Sequence, residues 1–287
     1  MKKYSHRSFA LVLSGGGGRA LAHAGVLKAL EHYGLYPSAI VGVSMGAIVG
    51  ASYALNPAWY FALANMDTKA FPRPVGPSRR GLLDRVRTLL VYERALLEMF
   101  TGWGIGEHAL QAGMTLLKDL TRDGTLEKGR IPVAVIATDL YSGQRVIFRE
   151  GEAARAIYAS AALPGVLPPL PMEGQLLADG SYIDDAPVDI ARDFGAEVVI
   201  AVDTSQNRNP SIITNGIQAM LRATEICHHQ HAQMRFEEAD LVIRPDYPVA
   251  IDILDFSQKR ACVVIGILSI RRQIDRLRSM LTPRITA

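Results

Sequence analysis

After a basic start the chain enters a short unbroken apolar run, Phe9 to Leu13, with no polar position alternating through it. Such a run predicts a strand covered on both faces, the pattern of a parallel sheet. A glycine-rich turn follows at once. From Arg19 to His32 the apolar positions Leu21, Ala24, Leu27, Ala29 and Leu30 recur near helical spacing, and Gly34 with Pro37 supplies the stop. The unit then repeats, with a second short strand over Ile40 to Val43 and a helix over Met45 to Leu55, closed by Asn56-Pro57.

The stretch from about 57 to 129 carries no strand signal. It holds a Pro/Gly-rich piece, Phe71 to Pro77, and then a helical pattern in which Leu82, Leu83, Val86, Leu89, Leu90, Leu96, Leu97 and Phe100 fall on one face. This reads as a helical insertion or cap. Strand patterns resume at Ile131 to Thr138 and Arg145 to Phe148, joined as a hairpin through Ser142-Gly143, and another short strand ends at Leu177-Ala178. Pro187 opens a helix through Asp193, stopped by Gly195, before the apolar run Val198 to Val202. A long helix around Ile217 to Glu238, a strand Leu241 to Ile243 and a final helix from about Ser257 to Leu281 complete the chain. Inside that last helix, Ala261 to Ile270 is apolar between two basic pairs; it falls far short of the ~20 residues that span a bilayer and reads as a buried segment. Alternation of this kind predicts an α/β fold, a mainly parallel central sheet with helices on both faces in three layers, as one domain over residues 1–287 with the insertion at about 57–129.

Composition narrows the classes. Of 287 residues, 49% are hydrophobic and 21% charged, which excludes a disordered or fibrous chain, and a net charge of +3 is too small for a dedicated nucleic-acid binder. Two cysteines, Cys227 and Cys262, have neither zinc-ligand nor scaffold spacing and fit a reducing compartment. The apolar run near the amino terminus lasts about six residues, short of the roughly 7–15 of an export signal. The expectation is a cytoplasmic protein.

Two motifs carry chemistry. Gly42-Val43-Ser44-Met45-Gly46 stands between a buried strand and a helix, the context in which a G-x-S-x-G match presents a nucleophilic serine on a sharp turn, with Gly42 and Gly46 allowing close backbone approach. Ser14-Gly15-Gly16-Gly17-Gly18-Arg19 occupies the preceding strand-to-helix turn, where successive glycines let N–H groups converge on a phosphate or on the oxyanion of an acyl transfer. A P-loop is excluded because no Lys-Ser/Thr follows. The dinucleotide pattern is met by Gly15, Gly17 and Ala20, yet it requires an acidic residue after the second strand, and none lies between Glu31 and Asp67. A nucleophile with donors for the charge it generates is the pairing that acyl transfer needs. Spacing leaves the general base open: His228, His229 and His231 lie in the predicted long helix, where exposed polar residues are ordinary, and Asp139, Asp179 and Asp203 lie at strand ends.

With Asp179-Gly180-Ser181 as a third block in the same order, the sequence resembles the patatin-like phospholipase family. The likeness extends through Ala159 to Gly165 and Ala239 to Pro245 and is weakest in the insertion. It implies a Ser–Asp dyad without histidine, in which Ser44 attacks an acyl ester, Asp179 is the base, and the N–H groups of Gly16, Gly17 and Gly18 hold the oxyanion beside Arg19. Neither metal nor cofactor is implied. A free aspartate is a poor base, so a raised Asp179 pKa is expected. The chain departs from the family pattern at Ala20, often glycine, at Ser181, often glycine or alanine, and at Asp185, often asparagine. Arg19 has a second reading, a solvated arginine at a helix start.

Lys69 to Arg94 holds seven basic residues against Asp84 and Glu93, a local +5. With the apolar face from Leu82 to Phe100 this fits peripheral contact with an anionic membrane; an ordinary solvated helix face fits as well. The resemblance implies a serine ester hydrolase acting on lysophospholipids, phospholipids or other lipid acyl esters. A catalytically weak lipid-binding protein, a nucleotide-binding oxidoreductase, and an acyltransferase or thioesterase using the same dyad are the other readings.

Overall fold

The computed structural model describes residues 6–68, 107–206, 213, 216–251 and 253–283. The apolar face and basic cluster between Lys69 and Phe100 lie outside the described residues. Of the expected insertion, the described part is a short helix at Trp59–Asn65 and a longer one at Glu107–Thr121.

The first strand, β1 (Phe9–Leu13), is buried along its whole length and leads through a 3-10 turn (Gly17–Leu21) into α1 (Ala22–His32). Then follow β2 (Ala39–Val43), α2 (Met45–Leu55), α3 (Trp59–Asn65), α4 (Glu107–Thr121), β3 (Val133–Asp139), β4 (Arg145–Phe148) and α5 (Ala153–Ala161). A hairpin of β5 (Leu170–Met172) and β6 (Gln175–Asp179), α6 (Val188–Asp193), β7 (Val198–Val202), α7 (Gly216–Phe236), β8 (Leu241–Ile243) and α8 (Lys259–Leu281) close the order. Five strands pair in parallel in the order β3-β2-β1-β7-β8, while β4 and β6 run antiparallel to β3 and β5 antiparallel to β6.

Alternate strand residues go to opposite faces. Phe9, Leu11, Leu13 and Ile40 join one core with residues of α1 to α5 and α8; Ala10, Val12, Ala39, Val41 and Val43 join the other with α6 and α7. Helices therefore cover both faces, as the strands' lack of polar alternation predicts. β1 lies where the strand order reverses, with β2 on one side and β7 on the other. In open α/β sheets the carboxyl ends at such a reversal are where ligands bind.

The register at β3 explains the site. β2 pairs with Val133 to Ile136, β4 with Val135 to Thr138, and β6 with Ala137 to Asp139. Because β4 overlaps both of the others, β2 and β6 must share the opposite edge of β3 and meet there head to head. The carboxyl end of β2, Val43, is opposite Ile136; the carboxyl end of β6, Asp179, is opposite the next residue, Ala137. The residue after Val43 is Ser44.

One expectation needs correction. The run Ala261 to Ile270 is buried on one face only: Cys262, Gly266 and Ile270 face the core, whereas Val264 is 52% and Leu268 39% exposed. Its helix lies on the molecule's outside against α1, where glycine permits a close crossing: a side chain on Gly25 would strike the Val263 carbonyl, and one on Gly266 the Ala22 carbonyl.

Candidate active site

Ser44 sits between β2 and α2 with φ 53 and ψ −123, a region that costs a non-glycine residue about 1–3 kcal/mol. The surroundings hold it there. Its carbonyl accepts the N–H groups of Ala47 and Ile48, and its own N–H donates to Ser160 Oγ at 2.8 Å. Glycine on either side is a matter of space: a Cβ on Gly42 would lie 2.5 Å from Ala47 Cα, and one on Gly46 2.6 Å from the Ser14 carbonyl oxygen. The strained turn points the serine side chain at the end of β6.

There Ser44 Oγ donates to Asp179 Oδ2 at 2.7 Å. Both residues are largely enclosed, Ser44 at 9% and Asp179 at 4% exposure. Asp179 Oδ1 accepts the Ser181 N–H at 2.9 Å, and its carbonyl takes a hydrogen bond from Thr138 Oγ1 at 2.8 Å. Burial pushes the Asp179 carboxyl above the ordinary carboxylate range, and the Ser181 and Ser44 hydrogen bonds pull partly the other way.

The other strand-end carboxylates are committed elsewhere. Asp139 organises the β3–β4 turn, accepting from Tyr141 N, Ser142 N, Ser142 Oγ and Leu176 N. The Ser142 hydroxyl, with these amides, holds it below the usual range. Asp203 accepts from Ser205 N, Gln233 Nε2 and Arg244 Nε. Of the histidine cluster, His228 packs edge-on against the Tyr182 ring at 4.6 Å between centroids. The Ser44–Asp179 contact is direct, with no imidazole between the two.

The glycine loop runs alongside. A side chain on Gly15 would reach within 3.3 Å of Ser44 Cβ. The loop is pinned at its first two residues: His23 Nε2 meets the Ser14 carbonyl at 2.9 Å, Thr204 Oγ1 donates to the Gly15 carbonyl at 2.5 Å, and the Gly15 N–H donates to Asp185 Oδ1 at 2.7 Å. Gly16 and Gly17 take φ values of +131 and +56, which turn the chain so that their N–H groups find no protein acceptor among the described residues. Gly18 departs from its expected role, because its N–H donates to the Ile253 carbonyl at 2.8 Å and is not available to an oxyanion in this structure. Arg19 is not a solvated helix-start residue either. It is 8% exposed, gives Nη1 to the Ile251 carbonyl at 3.4 Å, and leaves Nε buried without a partner among the described residues.

Two residues that the sequence reading passes over belong to the site. Ser160, inside α5, looks like a small core filler, and His23, inside α1, like any helical histidine. Burial pushes the His23 imidazole down to about 4, so it is neutral and Nε2 carries the proton toward Ser14.

The site thus defines a class: an α/β protein with a serine on a strained strand-to-helix turn, bonded directly to a buried carboxylate and flanked by loop amides that have no acceptor among the described residues. Residues 11–192 match the family described as patatin-like phospholipase, and the chain belongs to that family. It is 34% identical over 211 residues to human patatin-like phospholipase domain-containing protein 6, a match covering 73% of this chain and 14% of that protein. An uncharacterised NTE family protein of Mycobacterium bovis is 30% identical over 224 residues, covering 75% of this chain and 56% of its own length. The chain therefore spans about one seventh of its mammalian relatives. The crystal structure of VipD from Legionella pneumophila superposes with a TM-score of 0.50 at 14% identity, covering 95% of this chain and 67% of that one, and shares the fold.

Proposed function

We propose that this protein is a serine hydrolase of lipid acyl esters, of the lysophospholipid or phospholipid class. The observation that carries the reading is the 2.7 Å contact between Ser44 Oγ and Asp179 Oδ2 beside the Gly16 and Gly17 amides, which have no acceptor among the described residues. Ser44 Oγ attacks the ester carbonyl as its proton passes to the Asp179 carboxylate, and the charge that develops on the carbonyl oxygen is taken up by the Gly16 and Gly17 N–H groups. The amino end of α2 adds a favourable field. Collapse of the tetrahedral species expels the alcohol, which leaves with the proton held by Asp179. Water then attacks the acyl-Ser44 ester, again losing its proton to Asp179; as the acyl–Oγ bond breaks that proton returns to Ser44 Oγ, and the fatty acid departs with both groups restored. Burial of Asp179 supports the role of base, because raising the carboxyl's proton affinity narrows the gap to the serine hydroxyl.

A cavity of about 20 Å³ lies between α2, α4 and α5, lined by Ile48, Leu116, Leu117, Tyr158, Ala161 and Leu167. Ile48 is one helical turn beyond Ser44. The reading includes peripheral contact with an anionic lipid surface, supported by the local charge of +5 between Lys69 and Arg94; among the described residues no helix is long and apolar enough to cross a membrane.

The test is fatty acid release from a panel of lysophospholipids, phospholipids and short p-nitrophenyl esters. Turnover lost in both Ser44→Ala and Asp179→Asn but kept in a His228/His229/His231 triple alanine variant is the expected result. A wild type inactive on every ester removes the hydrolase reading.

A further inference from the structure

Asp185 lies beside the dyad, and the acyl-transfer scheme gives it no task. Its Oδ1 accepts two hydrogen bonds, from Gly15 N at 2.7 Å and from Ser181 Oγ at 3.0 Å, and among the described residues no donor reaches Oδ2. Ser181 links the two carboxylates, giving its N–H to Asp179 and its hydroxyl to Asp185. Gly15 is wedged between Asp185 and the nucleophile: a Cβ there would lie 3.0 Å from Asp185 Oδ1 and 3.3 Å from Ser44 Cβ. The carboxyl group is thus anchored one residue before the first free amide of the loop.

A charge at that position acts on the reaction. The oxyanion that forms against Gly16 and Gly17 would develop beside a negative charge already present, in a site with little water to screen the two. A neutral carboxyl exerts no such repulsion. The anchoring survives protonation, because Oδ1 can keep both donors while the proton sits on Oδ2. The charged neighbours that act on Asp185 are themselves acidic, Asp179 at the end of β6 and Asp203 at the end of β7. Of the cations of this region, Arg145 and Arg235 pair with Asp184 and Asp189, Arg244 pairs with Asp203, and Arg19, in the glycine loop itself, gives Nη1 to the Ile251 carbonyl. His23, beneath Ser14, is neutral.

We infer that Asp185 is a positioning residue that ties the glycine loop to the Asp179 strand end, and that esters are turned over by the form in which Asp179 is ionised and Asp185 is protonated. The inference rests on the Ser44–Asp179 reading above. Burial, reinforced by the Asp179 and Asp203 charges, pushes the Asp185 carboxyl up to about 7. As pH rises through that value the proton leaves, the opposing charge appears, and turnover falls.

The experiment is kcat/KM for a soluble short-chain p-nitrophenyl ester from about pH 5 to about pH 9, on wild type, Asp185→Asn, Asp185→Ala and Ser44→Ala. Wild type should lose about tenfold between about pH 7 and about pH 8.5, because each pH unit above a controlling pKa removes up to a factor of ten of the active form. Asp185→Asn keeps an acceptor for the Gly15 N–H without the charge; its profile should stay flat there and exceed wild type by about a hundredfold at about pH 9. Asp185→Ala, with no acceptor, should be slow at every pH. A wild-type profile without the alkaline fall overturns the inference, as does an Asn variant that falls in parallel with wild type or is inactive throughout. Should the Asn variant fail to fold, the rate at which a fluorophosphonate labels wild-type Ser44 gives the same reading, and a rate that is flat above about pH 7 counts against it. Turnover that is absent or survives Ser44→Ala removes the dyad reading and this inference together, whereas Ser44-dependent turnover with a profile unaltered by Asp185→Asn removes this inference alone.

Discussion

Ser44 occupies a backbone conformation that serine seldom takes, and the contacts that hold it are also those that aim it. Ser160 is the least conspicuous of them. Its hydroxyl satisfies the Ser44 N–H in a buried site, so Ser160→Ala leaves that donor without a partner at a cost of about 1–3 kcal/mol. The expected outcome is a kcat lowered about tenfold or more with KM within about twofold, read by steady-state kinetics; an unchanged kcat would show that the turn holds itself. The buried Asp179 carboxyl must be ionised to act as base, and its proton affinity is raised. Activity should therefore rise with pH along a limb that lies above the ordinary carboxylate range, and a profile flat down to about pH 4 would count against that role. Asp185 has a stability counterpart. Its folded-state pKa exceeds its unfolded one, so the folded chain holds a proton that the unfolded chain has released, and this stabilisation is lost as pH rises through about 7. Asp185→Asn should gain melting temperature relative to wild type at about pH 8 and show a much smaller difference at about pH 5.

At the scale of elements, the decisive event is the meeting of β2 and β6 on one edge of β3. The apolar runs made the parallel strands legible, because a strand buried on both faces needs no polar alternation, and glycine with the strand-to-helix context made the Ser44 turn legible. What spacing could not show was direction. Asp139, Asp179 and Asp203 all end strands; only the antiparallel entry of β6, set by a hairpin whose first strand is the three-residue β5, brings one of them to Ser44. The engagement of Gly18 with Ile253 was hidden for a related reason, since it depends on a loop more than two hundred residues away folding over the glycine turn. The elbow itself is sterically closed. Gly46→Ala would drive a methyl group into the carbonyls of Leu13 and Ser14 and should cost about 1–3 kcal/mol, seen as a lower urea midpoint with turnover lost.

Across the whole molecule, the segment that follows Asp179 is locked by an ion network. Arg145 from β4 and Arg235 from α7 both engage Asp184 and Asp189, with Asp184 almost wholly buried. These bonds join four parts of the chain that sequence patterning treats separately, which is why no motif announces them. Arg145→Leu should destabilise the fold by about 1.5–3 kcal/mol in chemical denaturation, because the carboxylates it serves stay enclosed with fewer donors. The outer face of α8, with Val264 and Leu268 exposed, shows the converse limit of reading a sequence: a continuous apolar run does not reveal which of its faces the rest of the chain will cover.

The central claim, that Ser44 is a nucleophile activated directly by Asp179, is tested most directly by intact-protein and peptide mass spectrometry after reaction with a fluorophosphonate. One adduct on the Ser44 peptide of the wild type is predicted, formed at a similar rate in the His228/His229/His231 triple alanine variant and slowed at least about a hundredfold in Asp179→Asn. An adduct on another residue, or an Asp179→Asn variant labelled as fast as wild type, would contradict it.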